Sequence, residues 1–208
     1  LLTHTSGLSI SDVAIWDAWR GSDNWVDFAL NRPVVAEPGA VFSYSTASTH
    51  LLCAILQKAT GQTVYDFGKE RLFDPVGIDS VQCETDPQGI SDGGNGFSMN
   101  VYDMAKFGQL YLNNGVWEGQ QIIPAEWVEE STSLQFKRSS GSADYGYQWW
   151  VRTFGAQRYA AFFAQGHGGQ YIFVVPPLEL VIVFTSNHTG SSSMYWQFVS
   201  DIVAACEE

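Results

Sequence analysis

The sequence predicts an α+β protein in which helices pack on an antiparallel sheet. Three observations carry this prediction: helical spacing of apolar residues over about 1–140, aromatic and β-branched segments after residue 142, and one last amphipathic segment. Hydrophobic residues make up 45% of the 208 and charged residues 15%, which fits a folded domain with a sizeable core. We therefore expect a helical part over about 1–140, and a sheet with a closing helix over about 141–208.

Helices are predicted wherever apolar residues recur at three- and four-residue spacing. The segments are 9–35, 48–59, 64–72, 101–112, 124–130 and 193–206. In the first of them, Ser11-Asp12 and Ser22-Asp23 stand at capping positions. The face of the second that should be buried consists of Leu51, Leu52, Ile55 and Leu56. Asp74-Pro75 is expected to stop the third helix, because the residue before a proline disfavours helical geometry.

Four strands are predicted in the second part, over 145–151, 159–165, 170–175 and 179–186. Trp149 and Trp150 alternate across the first strand, so one is expected in the core and the other near a cleft. The closing helix is expected to bury a face made of Tyr195, Phe198, Val199, Ile202 and Val203.

Composition also excludes several classes of protein. The net charge is −12 and no cluster of Lys or Arg occurs, so we expect no nucleic-acid partner. The longest apolar run, 178–184, is far shorter than the ~20 residues of a membrane span. Cysteine and histidine spacing suggests no metal site, and we expect no cofactor. Cys53 fits a core position, while a disulfide such as Cys83–Cys206 stays open.

Tyr44-Ser45-Thr46, just before a predicted helix, is the first candidate for chemistry. A tyrosine can pass protons, but a free phenol titrates near 10, so it acts as a base only where nearby cations lower its pKa. A tyrosine stacked in the core beside a turn is the competing interpretation.

Gly166-His167-Gly168-Gly169-Gln170 is the second candidate. Glycines at the start of a strand let a ligand approach the backbone closely, and a histidine there can donate a hydrogen bond to a carbonyl or carboxylate. A histidine in a glycine-rich hairpin turn is the competing interpretation. His188-Thr189-Gly190 has similar letters, but it follows the last predicted strand, so we expect His188 in a surface loop.

These segments resemble, in order, motifs of the serine β-lactamase and penicillin-binding-protein-like hydrolases, the branch of class C β-lactamases, D,D-peptidases and related esterases. The resemblance also covers the opening Leu-Leu-Thr-His-Thr-Ser-Gly-Leu, the segment 95–107 and the segment 145–150. It implies a β-lactamase/transpeptidase-like fold, with residues 1–208 as one partial domain. His4 and Ser6 are expected to be structural.

The resemblance implies a serine hydrolase that opens an ester, amide or β-lactam bond of a small-molecule or peptide substrate. Tyr44 would be the proton shuttle, His167 its electrostatic partner, and the Gln170 N–H part of the oxyanion hole. Thr46, Gly168 and Gly169 would contact substrate. Thr46 stands where Asn is usual and His167 where β-lactamases have Lys, which favours esterase or peptidase activity.

The family's nucleophile motif, Ser-x-x-Lys, does not occur in the 208 residues. We expect the chain to begin after its own nucleophile, so that this fragment alone is inactive. The alternative is a penicillin-recognising scaffold that lost catalysis and serves as a binding or sensor domain. The sequence leaves open a periplasmic or cytoplasmic location.

Overall fold

The computed structural model describes residues 1–188, 190 and 193–207. It contains two compact units, Leu1–Met99 and Asn100–Glu208. The elements of the first unit are α1 (Asp12–Arg20), α2 (Trp25–Leu30), α3 (Thr46–Thr60), α4 (Val64–Gly68), a π-helical turn (Lys69–Phe73), α5 (Asp74–Val76), β1 (Gln82–Cys83) and β2 (Phe97–Ser98). Strands β1 and β2 form a small antiparallel pair that encloses the loop 84–96.

Two tryptophans organise the core of the first unit, where α1, α2 and α3 meet. Trp19 is fully buried, and its indole N–H donates to the Trp25 carbonyl at 3.2 Å. The two rings lie 4.8 Å apart, a separation at which aromatic pairs attract each other. Arg20 places its guanidinium 4.2 Å from the centre of the Trp25 ring and forms an ion pair with Asp92. This pair ties the loop 84–96 to α1.

Helix α3 begins at Thr46, before the predicted start at residue 48, and ends at Thr60, where Thr60-Gly61 was expected to close it. The Ser45 hydroxyl accepts a hydrogen bond from the Ser48 N–H at its start, and Gly61 is left-handed after its end. Ile55 was predicted to belong to the buried face of this helix, and that prediction is wrong, because Ile55 is 55% exposed.

The predicted stop at Asp74-Pro75 is also wrong. Helical structure continues through α4, the π-helical turn and α5, and Gly77 ends it in the left-handed conformation. Proline disrupts a regular helix by removing a hydrogen bond and crowding the carbonyl four residues earlier. The π-helical turn just before Pro75 changes the hydrogen-bond spacing at that point, which lets the helix continue.

The second unit contains α6 (Val101–Leu112), the short pair β3 (Val116–Trp117) and β4 (Gln120–Gln121), α7 (Ala125–Thr132), a five-stranded sheet and α8 (Ser193–Ala205). The sheet strands are β5 (Asp144–Tyr145), β6 (Trp150–Phe154), β7 (Tyr159–Gly166), β8 (Gln170–Val175) and β9 (Leu180–Phe184). They pair in sequence order and every pair is antiparallel. The predicted α+β class is confirmed.

The segment 145–151, which was predicted as one strand, belongs to two strands, β5 and β6. Tyr145 pairs with Trp150 across a tight hairpin in which Gln148 has a φ of 61°. A β-carbon at Gly146 would overlap the Ser131 carbonyl oxygen, so this glycine lets the hairpin lie against the end of α7. The turn therefore depends on contacts outside the segment.

The sheet buries both faces, and the two neighbouring tryptophans mark them. Trp149 packs against Phe107 and Tyr111 of α6, whereas Trp150 stacks on Phe163 in the cluster that α8 covers. Trp149 is 5% exposed, which makes it the core residue of the pair.

The closing helix α8 buries a narrower face than predicted. Tyr195, Val199 and Val203 are buried against the sheet. Phe198 is 46% exposed and Ile202 is 37% exposed, so their predicted burial is wrong. The three cysteines are free thiols, and Cys53 is buried as predicted. Among the described residues, no helix has the length and apolarity to span a membrane.

Candidate active site

Tyr44 lies immediately before α3, and its backbone is held by two other segments of the first unit. The neighbouring Ser43 and Ser45 N–H groups donate to the carbonyl and Nδ1 of His4, at 2.8 and 3.3 Å. The His4 ring lies 4.5 Å from the Tyr44 ring. His4 is buried, which agrees with its predicted structural role, whereas Tyr44 is 39% exposed. The motif thus presents a partly exposed phenol on a rigid backbone.

Asp12 binds the start of the same helix. Its carboxylate accepts the Thr46 N–H at 2.7 Å and the Thr46 hydroxyl at 2.8 Å. Thr46 itself is buried, and a β-carbon at Gly94 would overlap its methyl group. The loop 84–96 therefore covers Thr46 on one side while Asp12 holds it on the other. From its residue type and its position in the sequence, Asp12 was predicted only as part of a helix cap, and not as a partner of Thr46.

The surroundings of Tyr44 favour the neutral phenol. Partial burial raises the pKa of Tyr44 above that of a free tyrosine, and the negative charge of Asp12 raises it further. A tyrosine in this setting is protonated at neutral pH. It can accept a proton only if a cation offsets both effects.

The loop 84–96 is fixed by buried charges. His50 Nε2 lies 2.9 Å from Asp86 Oδ2, and both side chains are almost fully buried. The other oxygen of Asp86 accepts the backbone N–H groups of Gln88 and Ile90, at 2.9 and 2.8 Å. These contacts make the wall beside Thr46 a rigid part of the first unit.

The His167 motif forms the turn between β7 and β8 in the second unit. Gly166 pairs with Gln170, and Gly168 and Gly169 have φ values of 78° and 89°, which glycine adopts without strain. The predicted strands β8 and β9 follow the motif in the expected order. His167 is exposed, and Gly169 is buried.

The segment after β9 and helix α8 support this turn. The His188 N–H donates to the Gly168 carbonyl at 2.8 Å, and the Gln170 side-chain amide donates to the Ser186 carbonyl. The Tyr195 hydroxyl donates to the Ser186 hydroxyl at 2.9 Å. Local sequence patterns do not connect Ser186, His188 or Tyr195 with the motif, because these contacts join distant segments.

A cleft of about 210 Å³ opens at the turn, and both His167 and His188 line it. His188 is exposed, as predicted for a loop residue, yet it belongs to the same cleft. Thr189, the middle residue of the similar motif, lies outside the described residues. A larger open cleft of about 1180 Å³ lies between α6, α7 and the sheet, and no predicted site residue lines it. Across residues 1–188, 190 and 193–207 no cluster of metal-ligating side chains occurs.

Tyr44 and Thr46 belong to the first unit, and His167, Gly168, Gly169 and Gln170 belong to the second. An antiparallel sheet with helices on both faces is the architecture expected of the β-lactamase/transpeptidase-like fold, and that predicted fold is confirmed. The sequence model of the Beta-lactamase family matches residues 1–196, and the chain belongs to that family.

Two curated relatives show the range of activities named in the family. The chain is 25% identical over 165 residues to a 6-aminohexanoate-dimer hydrolase of Paenarthrobacter ureafaciens, covering 74% of this chain and 41% of that protein. It is 24% identical over 243 residues to penicillin-binding protein 4 of Amycolatopsis lactamdurans, covering 98% of this chain and 62% of that protein. The chain thus spans roughly two fifths to three fifths of these relatives.

Solved structures agree on the fold. A protein of Bacillus anthracis, provisionally named a 6-aminohexanoate-dimer hydrolase, is 31% identical with a TM-score of 0.78, over 88% of this chain and 49% of that one. EstCE1, a hydrolase with promiscuous acyltransferase activity, is 17% identical with a TM-score of 0.76, over 97% of this chain and 70% of that one. The second comparison concerns the fold alone.

Proposed function

We propose that the chain is part of a serine hydrolase that opens ester or amide bonds through an acyl-enzyme, with esters and linear amides preferred over β-lactams. Membership of the Beta-lactamase family over residues 1–196 supports this proposal. The observation that carries it is the geometry of Tyr44, a partly exposed phenol whose flanking residues are hydrogen-bonded to His4 and Asp12.

In the proposed reaction, the oxygen of a serine forms a bond to the substrate carbonyl carbon and the bond to the alcohol or amine breaks. Tyr44 takes the proton of the serine and passes it to the leaving group. His167 donates a hydrogen bond to substrate, and the Gln170 N–H stabilises the oxyanion, a contact worth about 3 kcal/mol in the transition state. Gly168 and Gly169 let the substrate approach the backbone. Water then releases the acyl group by the reverse proton route.

The charge around Tyr44 supports a partner lysine. Burial and Asp12 both raise the pKa of Tyr44, so a proton-accepting Tyr44 needs an ammonium close to its oxygen. The Ser-x-x-Lys motif of the family supplies such a group. We place this serine and lysine in the portion of the whole protein that corresponds to the unmatched length of its relatives.

The substrate preference rests on two residues and one relative. His167 replaces the lysine that β-lactamases use for the carboxylate of a β-lactam, and Thr46 replaces asparagine. One relative is named 6-aminohexanoate-dimer hydrolase, and a dimer of an amino acid is joined by an amide bond. We therefore propose a linear ester or amide as substrate.

The test is to express the whole protein and the 208-residue chain side by side. The whole protein should hydrolyse a p-nitrophenyl ester and a linear amide such as the 6-aminohexanoate dimer faster than nitrocefin, and a serine-directed phosphonate should label it once. The 208-residue chain should not be labelled. Absence of both turnover and labelling in the whole protein would overturn the proposal.

A second candidate is a family member that binds ligands without turning them over. The observation that favours it is Thr46, whose hydroxyl is hydrogen-bonded to Asp12 at the position where the family uses asparagine. A gene sequence with no Ser-x-x-Lys upstream of Leu1, together with retained binding of a labelled penicillin without acylation, would select this candidate.

A further inference from the structure

We propose that Asp12 is a positioning residue for Tyr44, and that Thr46 serves as the link through which it acts. The inference rests on the proposed role of Tyr44 and extends it to a residue 32 positions earlier in the chain. It also assigns Thr46 a supporting role, in place of the direct substrate contact that the sequence suggested.

The hydrogen bonds define the link. Both oxygens of the Asp12 carboxylate accept from Thr46, one from the N–H and one from the hydroxyl. Thr46 is the first residue of α3, and its N–H is among those that a helix cannot satisfy internally. A carboxylate at this end also interacts favourably with the helix dipole. Asp12 therefore fixes the start of α3, two residues after Tyr44.

Thr46 has little capacity left for a ligand. Its single hydroxyl hydrogen is directed to Asp12, it is 6% exposed, and Gly94 lies against its methyl group. The Asp12 N–H also points to the Tyr44 carbonyl at 3.5 Å, so the contact reaches the backbone of the tyrosine itself.

The same carboxylate raises the pKa of Tyr44, in addition to the larger effect of burial. Asp12 on α1 and His4 on the opening segment are titratable groups that lie near the phenol. Burial lowers the pKa of His4 to about 4, so His4 is neutral at pH 7. Asp12 adds its negative charge to the effect of burial, and both favour the protonated tyrosine.

Two variants of Asp12 separate its effect on the position of Thr46 and Tyr44 from the effect of its negative charge. Asp12→Ala removes both acceptors. Asp12→Asn can still accept the Thr46 N–H and can donate to the Thr46 oxygen, so it keeps the geometry and loses the charge. Asp17→Asn, on the same helix with an exposed side chain, is the matched control for loss of one charge.

The measurements use the 208-residue chain and need no enzymatic turnover. In ¹⁹F NMR of protein carrying 3-fluorotyrosine, Tyr44→Phe identifies the Tyr44 resonance. We expect its titration midpoint to fall by about half a pH unit in Asp12→Asn and to stay unchanged in Asp17→Asn. Amide exchange at Thr46 should accelerate about tenfold or more in Asp12→Ala and change little in Asp12→Asn.

The whole protein supplies a separate readout. In Asp12→Asn the acid limb of the pH profile for ester turnover should move down with the NMR midpoint, and Asp12→Ala should lose more turnover than Asp12→Asn. An unchanged Thr46 amide in Asp12→Ala, or an unchanged Tyr44 midpoint in Asp12→Asn, would overturn the inference. NMR changes as expected in a protein without hydrolase activity would support the Asp12 contact and overturn the proposed function.

Discussion

Gly169 lies so close to the Tyr195 hydroxyl that a β-carbon at position 169 would overlap the tyrosine oxygen. The glycine also has a φ of 89°, a conformation that strains other residues. Tyr195 in turn donates to Ser186, the residue whose carbonyl accepts the Gln170 side chain. The closing helix α8 is therefore part of the support of the His167 turn.

Gly169→Ala should destabilise the second unit through both strain and overlap, by about 2–5 kcal/mol in the free energy of unfolding. Gly39→Ala is the matched control, because Gly39 has a φ of 88° with open space around its α-carbon, and strain alone should cost about 1–2 kcal/mol. Urea denaturation followed by circular dichroism measures both. Equal losses in the two variants would show that the Tyr195 hydroxyl does not constrain position 169.

The two histidines of the small cleft should differ in function. His167→Ala should lower kcat/KM of the whole protein for an ester by at least about tenfold, since it removes a hydrogen-bond donor to the substrate. His188→Ala should change kcat/KM little, because the described contact of His188 with the turn is made by its backbone N–H. Steady-state kinetics of the two variants compare them directly. The reverse order of losses would assign the role to His188.

Acid should weaken the first unit through His4. Its pKa is about 4 in the folded chain because it is buried, against 6.5 for an ordinary histidine. The unfolded chain therefore binds more protons in this window, and stability falls as the pH drops from about 6.5 to 4, by at most about 3 kcal/mol.

His4→Asn tests this pH dependence. Asparagine can accept the Ser45 N–H and tolerates the left-handed backbone of residue 4, which has a φ of 53°, but it does not titrate. The unfolding free energy of this variant, measured by urea denaturation at pH 7 and pH 4.5, should decline less than that of the unaltered chain. Identical declines would remove His4 as the source.

Local patterns predicted much of this fold. Helix α6 has the predicted bounds, and β7 and β8 agree with prediction to within one residue, because periodicity and turn residues act within each segment. The elements that differ from prediction have causes that periodicity and turn residues do not reveal. A π-helical turn lets the helix continue through Pro75. Gln148 has a left-handed backbone conformation, which its residue type does not predict.

The candidate site likewise contains residues that local sequence patterns predict and residues that they do not. Tyr44 and His167 could be found because each stands in a short pattern of distinctive residues. Asp12 could not be assigned, because its local position indicates a helix cap while its carboxylate binds Thr46, 34 residues away. Tyr195 similarly resembles any core residue of an amphipathic helix until the fold brings it to Gly169.

Burst kinetics of the whole protein with an activated ester test the central claim, that Tyr44 carries the proton in a serine hydrolase. The unaltered protein should release a stoichiometric burst of p-nitrophenol as the acyl-enzyme forms. Tyr44→Phe keeps the ring packed on His4 and removes only the hydroxyl, so it should abolish the burst. A burst of unchanged rate and size in Tyr44→Phe would contradict the account.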